Sequence, residues 1–290
     1  MTGGTGFLGS NLLKKLVNTN ATIIVLKRKK SKLFRLESIK NNLLFYNIDE
    51  VKLGSIFKKH DIQIVIHCAT TYGSQLKNIP DLLESNLVLP LQLLELCMVY
   101  QKPIFINTDT ILDKRVSVYS LAKKQFLDWL KLFSTEMPCI NVSLEHFFGP
   151  LDDRSKFCTK MITDLLTGVP TIDLTPGLQK RDFIYIDDVV DAFMKIICYG
   201  LQIPNGFYNF EVGTGKNLTI RSFIELLVNL TGNTKSRLNF GALDYRTNEI
   251  MEYHVNLKPI QSLGWYPRYS LVDGLRETIR IEKNYIEETT

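Results

Sequence analysis

Thr2-Gly3-Gly4-Thr5-Gly6-Phe7-Leu8-Gly9 opens the chain, and a helical pattern through Leu12, Leu13, Leu16 and Val17 follows at once. Glycines at 3, 6 and 9 give a tight turn, let the backbone approach a pyrophosphate, and allow a helix to pack closely on a sheet. The helix amino terminus that follows attracts an anion, because its first N–H groups have no partner inside the helix. A glycine-rich turn without a ligand is the bland alternative. A phosphate loop of this kind follows an apolar strand, yet only Met1 and Thr2 stand before Gly3. That strand is central in its sheet, so its two neighbours would keep open edges without it. The expectation is an apolar strand upstream of Met1, through a truncated or misplaced start; the other reading is a protein weakened at this point.

Working outward, short apolar runs rich in β-branched residues alternate with helical patterns. The runs are Thr22 to Leu26, Leu43 to Tyr46, Ile62 to His67, Pro103 to Asn107 and Ile140 to Leu144. Between them lie Leu53 to Lys59, Leu82 to Val99 and Leu121 to Phe133, with Pro90 expected to kink the second. This alternation predicts an α/β fold: a Rossmann-type, doubly wound parallel sheet covered on both faces. After Gly149-Pro150 the rhythm is broken by Pro170, Pro176, Pro204, Gly213 and Gly215. The expected division is a dinucleotide-binding domain over 1–145 and about 182–210, and a smaller mixed α/β substrate domain over about 146–181 and 211–290. The segment from Ile184 to Ile197 is expected to return to the main sheet.

Composition narrows the function. The chain has 290 residues, 45% of them hydrophobic, with ten prolines, which suits a full core. Much of the net charge of +5 sits in one run, Lys27-Arg28-Lys29-Lys30, which argues against a nucleic-acid binder. The five cysteines are widely spaced and odd in number, without metal-ligand spacing, and read as buried thiols in a reducing compartment. No apolar stretch approaches the roughly 18 residues of a membrane span and no signal peptide is visible. A cytoplasmic protein, with no membrane or metal partner, is expected.

A second motif, Tyr119-Ser120-Leu121-Ala122-Lys123, puts a tyrosine and a lysine one helical turn apart on one face. The pair suits carbonyl chemistry, since a nearby ammonium should lower the tyrosine pKa. Alone the spacing is common and reads equally as a solvated helix face. Upstream, Ile106-Asn107-Thr108-Asp109-Thr110 ends a strand at the carboxyl edge of the sheet, where doubly wound folds bind ligands. A Thr108 hydroxyl there could hydrogen-bond a substrate oxygen, or simply cap the strand.

These blocks, with Ile66 to Thr70, Glu84-Ser85-Asn86, Phe148-Gly149-Pro150 and Gln179 through Val189, come in an order that resembles the NAD-dependent epimerase/dehydratase family of extended short-chain dehydrogenases/reductases. The Gly-x-x-Gly-x-x-Gly spacing is the short-chain dehydrogenase variant of the fingerprint. Leu144 through Pro150, Asn107 to Thr110 and Arg246 to Met251 are most similar to the branch that reduces the 4-keto group of CDP-linked 3,6-dideoxyhexoses for O-antigen synthesis. The resemblance implies that Thr108, Tyr119 and Lys123 are catalytic. Tyr119 would give a proton to the sugar O4, Lys123 would tune Tyr119 and hold the nicotinamide ribose, and Thr108 would orient the carbonyl. It places the cofactor on Gly3, Gly6, Phe7, Leu8, Gly9, Arg28, Ala69, Tyr119 and Lys123. It places a nucleotide-sugar substrate, expected to be CDP-linked, on Thr70, Asp109, Thr110, His146, Arg181 and Arg246.

The cofactor expected is NADPH, with NAD as the alternative. An acidic residue about 20 positions beyond the glycines would suit NAD, whereas Lys27 to Lys30 stand there and no carboxylate follows until Glu37. Arg28 can fork onto a 2′-phosphate. Relatives that dehydrate carry Thr-Asp-Glu where this chain has Thr108-Asp109-Thr110, and a threonine hydroxyl is too weak a base to replace that glutamate. A 4-epimerase with retained NAD, or a dinucleotide-binding sensor without catalysis, stays open. A homodimer through the helix around Leu82 to Val99 is implied by the relatives.

Overall fold

The computed structural model describes residues 1–72 and 78–289. In chain order the elements are α1 (Phe7–Leu16), β1 (Ile24–Lys27), β2 (Leu44–Asn47), α2 (Leu53–Lys59), β3 (Ile64–His67), α3 (Ile79–Leu83), α4 (Leu89–Val99), β4 (Ile104–Thr110), α5 (Val118–Phe133), β5 (Pro138–Leu144), β6 (His146–Phe148), α6 (Phe157–Thr167), β7 (Thr171–Leu174), β8 (Lys180–Tyr185), α7 (Ile186–Gly200), β9 (Gly206–Val212), β10 (Asn217–Thr219), α8 (Ile220–Thr231), β11 (Arg237–Phe240), α9 (Lys258–Gln261) and α10 (Leu271–Thr289). They form two compact units. The first holds Met1–Leu144, Val190–Val212 and Lys258–Trp265; the second holds Glu145–Val189, Gly213–Leu257 and Tyr266–Thr290.

The first unit is the α/β layer fold that the alternation predicts. β3, β4, β5 and β9 pair in that order, all parallel, and β1 pairs with β2 in parallel. All seven residues of β4 are buried, as a strand covered on both faces must be. Leu26, Ile56, Phe57, Val65, Leu93, Phe105, Phe126 and Leu130 belong to one continuous core cluster. Two parallel ladders, 1–2 and 3–4–5–9, are joined between β1 and β3 only by Thr2 among the described residues, which bridges Leu26 on one side and His67 on the other.

Three expectations need correction. The strand that returns to the main sheet is β9, beside β5, while residues 186–200 form helix α7. Asp187 and Asp188 in its first turn favour the helix through its dipole. Lys180–Tyr185 is a strand of the second unit, so that unit begins at 145 and runs to 189, and residues 258–265 belong to the first. Finally, Ile79–Val99 is long and apolar enough to cross a membrane by length and composition. Its Leu82, Leu89, Leu93, Leu94 and Cys97 are buried in the protein. Inside it, Pro90 follows a π turn over Glu84–Val88. A proline ring crowds the carbonyl four residues back, here Asn86, and the wider π turn accommodates it.

The second unit has two small sheets, β10-β8-β6 and β11-β7. Phe183 and Phe223 stack at its centre with ring centroids 3.9 Å apart. The Asp182 carboxylate is buried on β8, where it accepts from Thr214 Oγ1 at 2.5 Å and from the Thr214 and Gly215 N–H groups at 2.7 and 2.6 Å.

Candidate active site

The glycine loop is built for close contact. Gly3 has φ +67°, and a Cβ on it would stand 2.4 Å from Ala69 N. A Cβ on Gly9 would stand 2.2 Å from Gly3 O. Both glycines are therefore required by the protein's own packing. Gly6 differs: a Cβ there would meet only Gly3 O, at 3.3 Å. Gly6 is also the N-cap of α1 and supplies no side-chain cap. A glycine less crowded by the protein than Gly3 and Gly9, at an uncapped helix start, fits the approach of a phosphate group. Phe7 and Leu8 are buried, so what they can offer a ligand is backbone. Ala69 N–H donates to Thr2 Oγ1 at 3.2 Å, tying β3's end to the loop.

At the end of β1, Arg28 is exposed. Its neighbours are engaged. Lys27 donates to Asn47 Oδ1 at 2.8 Å, Lys29 Nζ lies 2.6 Å from Glu50, and the Lys29 N–H donates to Asp49. Looking downstream only to Glu37 overlooked Asp49 and Glu50, which β2 brings back beside the run because it pairs in parallel with β1.

Helix α5 starts where it does because Ser117 caps it. Ser117 Oγ accepts from Ser120 N and Ser120 Oγ accepts from Ser117 N, each at 3.1 Å. That reciprocal cap fixes the first turn carrying Tyr119, and Lys123 follows one turn later. Lys123 is buried and donates to the Thr108 carbonyl at 2.9 Å; burial brings its ammonium down to about 8. Tyr119 differs from the expectation. Burial, then the neighbouring Tyr72 phenol and the Asp109 carboxylate, push its pKa well above the ordinary value. Lys123 does not offset them, because its Nζ is turned to the strand carbonyl. The phenol therefore keeps its proton at neutral pH. Tyr72, whose ring centroid lies 4.7 Å from that of Tyr119, carried no motif that could have singled it out.

Thr108 is buried, and its hydroxyl donates to the His67 carbonyl at 2.9 Å, so it faces other groups as an acceptor. Asp109 turns inward. Its carboxylate, buried completely, accepts from Lys124 Nζ at 2.7 Å, from Thr110 N–H at 2.7 Å and from Asn141 Nδ2 at 3.2 Å. Asn141 in turn donates to Asn209 and Ser143 and accepts from Asn107, completing a ladder across β4, β5 and β9. Thr110 Oγ1 accepts from Leu112 N–H. Thr70 Oγ1 donates to Asn86 Oδ1 at 2.8 Å, and Asn86 also donates to Thr71 O. Asn86 thus clamps the segment after β3. Lys124 and Asn141 were missed in the sequence because a tertiary ion pair between strand and helix leaves no local spacing.

The second unit holds the remaining candidates. His146 lies 3.4 Å from Glu145, a carboxylate whose pKa burial raises. Arg181 is ion-paired with Glu249 and donates to the Ile250 and Lys180 carbonyls at 2.7 and 2.6 Å. Arg246 is exposed. Arg181's fork is therefore largely used inside the protein.

The family model described as NAD dependent epimerase/dehydratase family matches residues 1–209. The CDP-abequose synthase of Salmonella muenchen is 33% identical over 98% of this chain and 97% of its own length. That of Salmonella typhimurium LT2 is 29% identical over 97% and 96%. Among solved structures, a UDP-glucuronic acid 4-epimerase from Bacillus cereus, in complex with UDP-glucuronic acid and NAD, is similar with a TM-score of 0.86, 21% identity and 98% of each chain covered. The chain belongs to the NAD-dependent epimerase/dehydratase family.

Proposed function

We propose that the protein reduces the 4-keto group of a nucleotide-linked deoxyhexose, with a CDP-linked 3,6-dideoxyhexose as the preferred substrate, in the synthesis of a surface polysaccharide such as O-antigen. The observation that carries the reading is the protonated Tyr119 phenol on the capped first turn of α5, with the buried Lys123 one turn on. The Gly3 to Gly9 loop would hold a nicotinamide cofactor, which when bound would supply hydride for C4. Tyr119 then gives its phenolic proton to O4, and its high pKa keeps that proton in place until negative charge grows on the oxygen. Lys123 would hold the nicotinamide ribose, and its ammonium would stabilise the tyrosinate left once the proton has been given. The diphosphate is assigned to Arg181 and Arg246, whose guanidinium forks suit phosphate oxygens. Arg181 would exchange part of its bond to Glu249 for the ligand.

Dehydration is disfavoured by the same geometry. Thr110 is a hydroxyl, and the one carboxylate beside it, Asp109, is occupied by Lys124. Full-length similarity to the CDP-abequose synthases supports the CDP-linked substrate. NADPH is the proposed cofactor, read by Arg28. A homodimer is proposed through the exposed Trp129 and Leu132 of α5 and Val99 of α4; sedimentation giving a monomer at micromolar concentration would remove it. The reading is tested by incubating the protein with NADPH and a panel of CDP- and dTDP-linked 4-keto sugars. Cofactor absorbance should fall with a CDP-linked member. Silence with every sugar points to a sensor, and interconversion of 4-hydroxy sugars on tightly bound NAD points to an epimerase.

A further inference from the structure

Tyr72 meets Tyr119 ring against ring, with centroids 4.7 Å apart and planes inclined at 39°, and both residues belong to the first unit. The backbone is pinned on each side of this contact. Just before Tyr72, the Thr71 N–H donates to Asn86 Oδ1 at 3.2 Å, the Thr71 carbonyl accepts from Asn86 Nδ2 at 2.8 Å, and the Thr71 hydroxyl donates to Ser85 Oγ at 2.9 Å. Asn86 is itself buried, in the π turn. Tyr119 is fixed by the reciprocal cap of Ser117 and Ser120. The two rings differ in exposure: Tyr119 is mostly covered, whereas Tyr72 is 48% exposed. Two hydroxyls hydrogen-bond with the Tyr119 phenol, those of Thr70 and Tyr72. The Thr70 proton is committed to Asn86 Oδ1 at 2.8 Å, so Thr70 faces Tyr119 as an acceptor. The Tyr72 phenol can both accept and donate, because its hydrogen turns about the C–O bond. Each reduction leaves Tyr119 one proton short, and that proton has to come from water.

We propose that Tyr72 is the outer half of a two-phenol relay, a positioning residue that acts through Tyr119 and carries solvent protons to it. The inference rests on the reductase reading above. As the sugar O4 bonds the Tyr119 proton, the Tyr119 O–H breaks. The Tyr72 O–H then breaks and its proton bonds the Tyr119 oxygen, which leaves the negative charge on Tyr72. The half-exposed Tyr72 oxygen takes a proton from hydronium or a buffer acid, so one solvent proton is consumed for each carbonyl reduced. Two phenols that share a hydrogen bond titrate as a pair: the bond helps the first ionisation, and the second meets the charge already present. The more exposed phenol, Tyr72, carries the first charge, in keeping with its raising the Tyr119 pKa. The other charges around the pair are the Asp109 carboxylate on β4, ion-paired with Lys124, and the Lys123 ammonium on α5. At the end of β3, burial holds His67 neutral and pushes the Cys68 thiol up to about 12, so neither adds a charge at neutral pH.

The test compares the wild type with Tyr72→Phe and Tyr119→Phe, each of which removes one hydroxyl and keeps the ring. Tyrosine labelled with carbon-13 at Cζ lets NMR follow each phenol through the alkaline range without any substrate. Tyr72→Phe should lower the Tyr119 midpoint by about one pH unit, and Tyr119→Phe should raise the Tyr72 midpoint by about as much. With a sugar that the wild type reduces, Tyr72→Phe should lower kcat about tenfold and leave KM and cofactor affinity unchanged. The proposal is overturned if either phenol titrates at the same pH with and without the other's hydroxyl, or if Tyr72→Phe keeps the wild-type kcat. A raised KM with kcat unchanged also overturns it, since that marks a contact with the bound sugar instead of a relay. A wild type that reduces no sugar sinks the reductase reading, and the titration still decides whether the two phenols act as a pair.

Discussion

The two sides of β3 are finished to different degrees. On the β4 side, every register position is paired across β3, β4, β5 and β9, and the polar groups of Asn107, Asp109, Asn141 and Asn209 bond one another. On the β1 side, one residue, Thr2, joins two ladders across an apolar cavity. Tyr119 and Lys123 stand on the finished side, while the dinucleotide loop hangs from the open one. Positioning for proton transfer is thus held by a connected hydrogen-bond network, in which the buried Asn107 Oδ1 has no partner among the described residues, whereas the glycine loop is tied to β1 and β3 through Met1 and Thr2. The lesson is that a fold can prepare its chemistry and its cofactor grip independently.

Changes on the finished side should have the largest effects. Tyr119→Phe should lower turnover by about 10²- to 10⁴-fold, the size of a general-acid contribution, with cofactor affinity nearly kept. Lys123→Ala should lose turnover and cofactor affinity together, and steady-state kinetics with cofactor titration separate the two. A Tyr119→Phe enzyme of near wild-type turnover contradicts the assignment. Next comes the buried ion pair. Asp109→Ala should cost about 3 kcal/mol in denaturant unfolding, since Lys124 loses its partner and Asn141 an acceptor. A loss under about 1 kcal/mol would show that the ladder does not hold β4 to α5.

The open side predicts a pH dependence. The Met1 amine is held at about 6 in the folded chain against 8.0 when free, so between these values the unfolded chain binds more protons. Stability should therefore rise from pH 6 to pH 8, by about 2–3 kcal/mol if the whole shift is realised. Acetylating the amine should flatten the rise, and unfolding at several pH values checks both. The smallest effect expected is at Arg28. Arg28→Ala should weaken NADPH about tenfold and leave NADH almost unchanged. Equal weakening of both would mean that the basic run does not read the 2′-phosphate.

Much of this was legible in the sequence, and the reasons for the rest are specific. α2 begins and ends at the expected residues, and the expected strands lie within two or three residues of β1 to β5, because periodicity records burial directly. Residues 184–197 were misread because their apolar residues were weighed without the charged ones: Asp187, Asp188, Asp191 and Lys195 leave an apolar face at helical spacing. Tyr119 and Lys123 were visible as a spacing, but not the direction of the tyrosine's shift, which is set by Tyr72, Asp109 and burial, none of them local. The inward turn of Asp109 hinges on Lys124, adjacent to a motif residue yet outside the motif.

The most direct measurement follows the hydrogen itself. The protein is given NADPH deuterated at the transferable nicotinamide position together with a CDP-linked 4-keto deoxyhexose, and the sugar is analysed by NMR and mass spectrometry. The account predicts deuterium at C4 in stoichiometric amount with released NADP⁺, and labelling about 10²- to 10⁴-fold slower in Tyr119→Phe. Unlabelled product, a C4 epimer formed without net oxidation of the cofactor, or labelling at an unchanged rate in Tyr119→Phe would contradict it.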